Sequence, residues 1–115
     1  MEQKVLAAAR HQFRLDRSNK AGMTRRAMLL QASKIRGKTV PELIGPTFPA
    51  VASHVWEWFA ENNACRGSNG YTPMPINHPE IQAWSFLTGK IPSPREVRIL
   101  RLLDIAWLVE NSSND

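Results

Sequence analysis

The last third of the sequence carries two helix starts with one helix stop between them. Asn77 is followed three residues later by Glu80. Ser93 is followed at the same spacing by Glu96. At this spacing a capping side chain and the third helical residue can each accept from the other's backbone N–H group. Gly89 lies between the two starts, where a helix end favours a residue at positive φ. The pattern predicts a helical hairpin at the end of the chain.

Apolar residues recur at helical spacing in the rest of the chain as well. The spacing predicts helices over residues 2–15, from Thr24 to about Arg36, and from Pro49 to the pair at 62–63. No stretch alternates apolar and polar residues for long enough to predict a strand. We therefore expect an all-α fold, a small bundle of four to five helices ending in the hairpin. The apolar stripes are Val5, Leu6, Ala9, Phe13; Ala27, Met28, Leu30 (or Gln31), Ile35; Val51, Val55, Trp58, Phe59; Ile81, Trp84, Leu87; and Val97, Leu100, Leu103, Ala106, Trp107.

Length and composition fit a single helical domain over residues 1–115. A chain of 115 residues that is 43% hydrophobic can bury one modest core. We expect a basic helical front at 1–38 and a helical core at 49–110. The core contains residues 64–76, ACRGSNGYTPMPI, whose glycines and prolines predict the longest and most flexible loop of the chain. A loop of this length in a small domain is often functional.

Cysteine content and hydropathy place the chain in the cytoplasm by default. Cys65 is the single cysteine, which excludes an internal disulfide and a zinc site built on several cysteines. No run approaches the roughly 18 apolar residues that a membrane span requires, so no membrane partner is expected. The first residues, MEQKVLAAARHQF, lack the pattern of a secretory signal.

Charge is distributed unevenly along the chain. Residues 1–38 contain ten lysines and arginines against two acidic residues, a net charge of +8, whereas the remaining residues carry −3. Such a front suits nucleic acid, an acidic protein surface or an acidic part of the same fold. The sequence leaves these three alternatives open. If nucleic acid is the partner, the candidate contacts are Arg25, Arg26, Lys34, Arg36 and Lys38.

Catalytic and cofactor-binding patterns are not fulfilled. Gly89–Lys90 and Gly37–Lys38–Thr39 each lack the first glycine of a phosphate-binding loop and the preceding strand. The three histidines are too far apart for a paired metal site on one helix. Cys65 adjoins Arg66 in the predicted loop, where an uninvolved thiol is the simpler interpretation. We therefore expect that the protein is not an enzyme and that it binds no metal and no cofactor.

Two tryptophans on one predicted helix point to a further contact. Trp56 and Trp58 are two residues apart, so they cannot both face one core. If Trp58 packs inward, Trp56 points towards another helix or a partner, or it packs under the long loop. Large aromatic side chains are enriched at the energetic centres of protein interfaces.

The pattern from the aromatic helix to the end of the chain resembles a known family. Over about residues 56–108 it is similar to tail assembly chaperones of tailed bacteriophages. The matching elements are Trp58–Phe59, Arg66 to Gly70, Pro75–Ile76, Glu80–Ile81, Ala83–Trp84, Leu87, Gly89, Glu96, Leu103–Asp104 and Ala106.

This resemblance implies a non-enzymatic role in the host cell cytoplasm. The family holds the long helical tape measure protein soluble and recruits tail tube subunits around it. We expect the contacts to be the aromatic and soft residues at or beside the long loop, which are Trp56, Phe59, Tyr71 and Met74. The competing hypothesis is a small DNA- or RNA-binding phage protein that uses the basic front.

Overall fold

The computed structural model describes residues 2–18, 22–68 and 70–112. Lys20 of the basic front, Asn69 of the long loop and the last residues, 113–115, lie outside these ranges. Within them the chain forms five α-helices, two short 3₁₀ turns and no strand, which confirms the all-α prediction. The helices are α1 (Glu2–Leu15), α2 (Arg25–Arg36), α3 (Ser53–Ala64), α4 (His78–Thr88) and α5 (Pro94–Asn111). The 3₁₀ turns are Pro41–Leu43 and Ala50–Ala52.

The helix ends follow the local signals in the sequence. The Ser93 hydroxyl accepts from the Glu96 backbone N–H at 3.2 Å, and the Glu96 carboxylate accepts from the Ser93 N–H at 2.8 Å. The same reciprocal arrangement starts α4 at Asn77. Gly37 and Gly89 end α2 and α4 with φ of 73° and 74°, which only glycine adopts without strain.

Helix α5 is the centre of the packing. Leu103 is completely enclosed, and Ile99, Leu100 and Ala106 are buried around it. The most extensive neighbour of α5 is α1, which is followed by α3, whereas α4 packs mainly against α3. Helices α4 and α5 are consecutive and are joined by a short connection. The main packing partners of α5 are nevertheless α1 and α3, which come earlier in the chain.

Polar pairs connect the same helices at the edge of the core. The His54 ring of α3 contacts the Glu96 carboxylate at the start of α5. The Ser93 backbone N–H, and after it the His54 ring, hold the pKa of Glu96 below its ordinary value. At the other end of α5, Arg14 and Arg17 each lie 3.8 Å from the Glu110 carboxylate. Part of the basic front is therefore matched by acidic residues of its own fold.

One of the expected apolar stripes, and the first residue of another, are not buried. Helix α2 buries none of its residues, and Ala27, Gln31 and Ile35 all face outward. Val51 lies in the 3₁₀ turn before α3 and is exposed, because the α-helix begins only at Ser53. Helical periodicity predicted α2 correctly but could not tell whether another element covers it.

Candidate binding groove

A groove runs between the C-terminal half of α3, the loop that follows it and one face of α4. Its volume is about 530 Å³. The α4 side consists of Thr88 and four residues at helical i, i+3, i+4, i+7 spacing, which places those four on one face. They are Glu80, Ala83, Trp84 and Leu87. The loop side contributes Met74, Pro75 and Ile76. Most of this lining is apolar, so the groove is suited to apolar side chains.

The loop wall is fixed by a buried ion pair. Arg66 Nη2 lies 2.5 Å from Asp104 Oδ1 on α5, and the two side chains are 5% and 2% exposed. The Arg66 guanidinium also donates to the Asn63 side chain at 2.7 Å and to the Met74 carbonyl at 2.9 Å. Its central carbon, Cζ, lies over the Trp107 ring, 4.0 Å from the ring centre. A single arginine therefore connects α3, both ends of the loop and α5.

Backbone bonds close the loop at its base. The Met74 N–H donates to the Gly67 carbonyl at 2.8 Å. The Ile76 N–H donates to Asp104 Oδ2 at 3.0 Å, which makes the same carboxylate a partner of both loop ends. The sequence predicted this segment as the most flexible one, whereas its ends are tied to α3 and α5. Since Met74 and Ile76 line the groove, these ties position the wall.

The opposite edge of the groove has its own polar cluster. Glu61 on α3 accepts from Lys90 at 2.7 Å and from the Trp84 indole N–H at 3.1 Å. The hydrogen bond from Lys90, and after it the one from Trp84, hold the pKa of the Glu61 carboxyl below its ordinary value. Trp84 also meets Trp58 edge-on, with 5.5 Å between ring centres. The indole at the groove edge is thus oriented on two sides.

Exposed apolar side chains lie near the end of α4 and in the connection that follows it. Leu87 lines it and is 80% exposed, although the sequence predicted it to pack inward with Ile81. Phe86 beside it and Ile91 in the connection to α5 are also largely exposed. An apolar groove with exposed apolar residues at one end is typical of a surface that binds another protein.

Comparison with known families identifies the family of the chain. The family model described as phage tail assembly chaperone matches residues 32–109, most of the chain. The chain belongs to this family. The resemblance noted over about 56–108 is thereby confirmed and extends back into α2. Comparison with curated proteins and with solved structures gives no significant match.

Two positions of the family resemblance meet in the structure of this tail assembly chaperone. Arg66, before the glycine-containing loop, and Asp104, of the Leu–Asp–x–Ala element, form the buried pair described above. Ala83 and Trp84 of the same pattern line the groove. The matched pattern thus contains part of the groove lining, the pair that fixes its loop wall and residues that cap α4 and α5.

The four contact residues expected from the sequence lie in different places. Met74 lines the groove. Tyr71 is 93% exposed and borders a separate depression of about 480 Å³ beside Trp107. Phe59 is 2% exposed in the core, because it lies one helical turn after buried Val55. Its side chain is therefore not accessible to a partner in this structure.

Trp56 packs against other aromatic rings of the chaperone itself. Its ring stacks on Phe13 of α1 with 5.4 Å between centres and meets Phe48 at 5.2 Å. Of the alternatives open from the sequence, the structure has Trp56 turned towards another helix. Trp58, two residues later, packs on the opposite flank against Trp84. Both tryptophans therefore border the core from different sides.

The five candidate nucleic-acid contacts divide into two groups. Arg25 pairs with Glu42, and Arg26 lies 3.1 Å from the Asp16 carboxylate. These two arginines are thus engaged with acidic residues of the same chain. The other three candidates, Lys34, Arg36 and Lys38, are exposed at the end of α2 and just after it.

Sequence reasoning missed the exposed part of the groove surface. Phe86 comes five residues after Ile81, and this spacing places it away from the face that Ile81 buries. That mismatch was a usable signal. The Glu61–Lys90 pair had no such signal, because Glu61 lies on α3 and Lys90 lies 29 residues later, in the connection between α4 and α5.

The described part of the chaperone contains neither a metal-ligand cluster nor a membrane-spanning helix. Among residues 2–18, 22–68 and 70–112, no group of three histidine, cysteine or acidic side chains is placed to hold a metal ion. Cys65 is exposed at the edge of the groove. In the same ranges, no helix has the length and apolar character needed to cross a bilayer.

Proposed function

We propose that this tail assembly chaperone binds a helical segment of the tape measure protein, the tail tube protein or both in the groove between α3 and α4. The binding is non-catalytic and takes place in the host cell cytoplasm. The observation that carries the proposal is an apolar groove whose lining includes Leu87, a large apolar side chain that is 80% exposed.

The exposure of Leu87 in the lining, and not the volume of the groove, favours the side chains of a protein partner over a small ligand. About 530 Å³ accommodates a few large apolar side chains. Phe86 precedes Leu87 on α4 and Ile91 follows the helix, and these two exposed side chains offer further apolar surface to a bound helix. A long helical protein such as a tape measure presents amphipathic segments of this kind repeatedly.

The walls of the groove are held by ion pairs, as expected for a binding site that is already formed in the free protein. Arg66 and Asp104 fix the loop side, and the Glu61–Lys90 pair fixes the edge near Trp84. A wall that is already ordered does not lose its conformational entropy on binding, which favours affinity. We assign the contacts to Met74, Trp84, Leu87, Phe86 and Ile91, with Tyr71 as an outlying contact.

Co-purification with the partner tests the proposal. The chaperone is co-expressed with the tape measure protein of the phage that encodes it, and with the tail tube protein in a parallel experiment. Replacing Leu87→Ser removes an apolar side chain that is exposed in the free protein, so folding should be retained while affinity falls about tenfold or more. Val51→Ser is the matched control, because Val51 is also exposed but lies away from the groove.

The outcome is read as the yield and affinity of each complex. A complex that is lost with Leu87→Ser and kept with Val51→Ser supports the groove as the binding site. A complex that tolerates Leu87→Ser and Phe86→Ser unchanged would show that the partner binds elsewhere. If neither tail protein is retained by the unaltered chaperone, the proposed partners are wrong.

A further inference from the structure

We propose a second docking surface on this chaperone: the outward face of α2 binds an acidic amphipathic helix of a partner protein. The face consists of Ala27, Gln31 and Ile35, which are spaced by four residues along the helix and are all exposed. Lys34 and Arg36 flank Ile35 in the sequence. This surface is separate from the groove between α3 and α4 and does not depend on its function.

Polar tethers, and not burial, set the orientation of α2. Arg26 lies 3.1 Å from Asp16 and donates to the Gln12 side chain at 2.6 Å. On the same inner side, the Ser33 hydroxyl accepts from the Val40 backbone N–H at 3.0 Å. These bonds hold the Ser33 side of the helix towards the protein. The face with Ala27, Gln31 and Ile35 is therefore kept outward, although Ala27 and Ile35 have the spacing of residues that pack.

Charge complementarity identifies the occupant. Arg25 and Arg26 are already matched by Glu42 and Asp16. Lys34, Arg36 and Lys38 remain as an exposed basic group at the end of α2. Their position in a front with a net charge of +8 favours a partner that brings carboxylates.

The apolar part of the surface favours protein over nucleic acid. Ile35 is 81% exposed in the middle of the basic group. A nucleic acid backbone offers phosphates but no apolar stripe to cover such a side chain. An amphipathic helix with acidic residues beside its apolar stripe satisfies both features at once. Two residues of this surface, Ala27 and Gln31, precede the region matched by the family model.

Two synthetic helical peptides provide the test. Both carry the same leucine stripe, flanked by glutamates in one peptide and by lysines in the other. We expect the unaltered chaperone to bind the glutamate peptide with an affinity that falls as salt is added, and to bind the lysine peptide at least about tenfold more weakly. Ile35→Ser should weaken the glutamate peptide about tenfold, and Lys34→Glu about fivefold.

Matched variants separate this surface from general effects. Arg10→Glu changes the net charge as much as Lys34→Glu but lies on the exposed side of α1, so it should leave binding nearly unchanged. Leu87→Ser alters only the groove and should also leave it unchanged. Circular dichroism confirms that each variant keeps its helices, since every altered side chain is exposed.

Each of the following results would overturn the proposal. Equal binding of the two peptides, or binding that is insensitive to Ile35→Ser and Lys34→Glu, would exclude this surface. Tighter binding of a DNA duplex or an RNA strand than of the glutamate peptide, with no effect of Ile35→Ser, would make nucleic acid the occupant. Self-association in sedimentation that Lys34→Glu abolishes would make a second copy of the chain the occupant. Loss of peptide binding with Leu87→Ser alone would place the site in the groove.

Discussion

Arg66 and Asp104 form a buried ion pair that connects the loop after α3 to the middle of α5. The distance between Arg66 Nη2 and Asp104 Oδ1 is 2.5 Å. Asp104 also accepts from the Ile76 backbone N–H, so it holds both ends of the loop that forms one wall of the groove. The pair therefore links the fold of the chaperone to the geometry of its binding surface.

Removing one partner of this pair should destabilise the protein strongly. Asp104→Asn leaves the Arg66 charge buried without its counter-charge and should lower the free energy of unfolding by about 3 kcal/mol. Denaturant unfolding followed by circular dichroism measures the change. Glu110→Gln removes a carboxylate that pairs at 3.8 Å near the surface, and should cost no more than about 1 kcal/mol.

The double variant shows whether the charge or the packing matters. Arg66→Met combined with Asp104→Asn removes the buried charge while keeping an acceptor for the Ile76 N–H. It should be more stable than Asp104→Asn alone, because no unpaired charge is left. A double variant that is less stable by the full sum of the two single changes would contradict this coupling.

Acid should weaken the contact between α3 and α5 through Glu96. Its pKa is held below the ordinary value of 4.5 in the folded protein, so the carboxylate favours folding above about pH 4.5. This contribution is lost as the pH falls through the folded-state pKa. We expect the stability difference between the unaltered protein and Glu96→Gln to shrink as the pH falls below about 4.5.

Unfolding free energies measured from neutral to acidic pH test this point. Glu57→Gln removes the same charge from the exposed side of α3 and corrects for the general effect of net charge. If the difference between the unaltered protein and Glu96→Gln were constant across this range, the proposed role of the Glu96 carboxylate would be wrong.

Trp56 should behave as a packing residue and not as a contact residue. Its ring lies between Phe13 and Phe48, so Trp56→Ala should lower the free energy of unfolding by about 2 kcal/mol. Tyr71→Ala changes a side chain that is 93% exposed and should cost less than about 0.5 kcal/mol. A Trp56→Ala variant of unchanged stability that loses its tail-protein partner would reverse this assignment.

Local structure was predictable because its signals lie close together in the sequence. Ser93 and Glu96 cap the same helix three residues apart, and Gly89 ends its predecessor with its own backbone. The apolar stripe of α5 likewise needed no knowledge of its neighbours, since it faces inward along most of its length. Local physics decides such features before the chain is packed.

The binding surface was only partly predictable, because it depends on which elements meet. Nothing near Arg66 in the sequence indicates that Asp104 is its partner. The loop that contains Arg66 was therefore predicted to be flexible. The stripe of α2 reads as buried by its spacing, but no other element covers Ile35. Exposure of Leu87 depends in the same way on the distance between α4 and its neighbours.

Site-specific photo-crosslinking tests the central claim most directly, that the groove binds a tail protein. A photoreactive residue is placed at position 87 in the groove, or at position 51 as the control, and the chaperone is irradiated in cells that make the tape measure and tail tube proteins. If the groove binds a tail protein, we expect a crosslink from position 87 to a helical segment of one of these proteins and none from position 51. Crosslinks from position 51 alone, or equally from both positions, would contradict it.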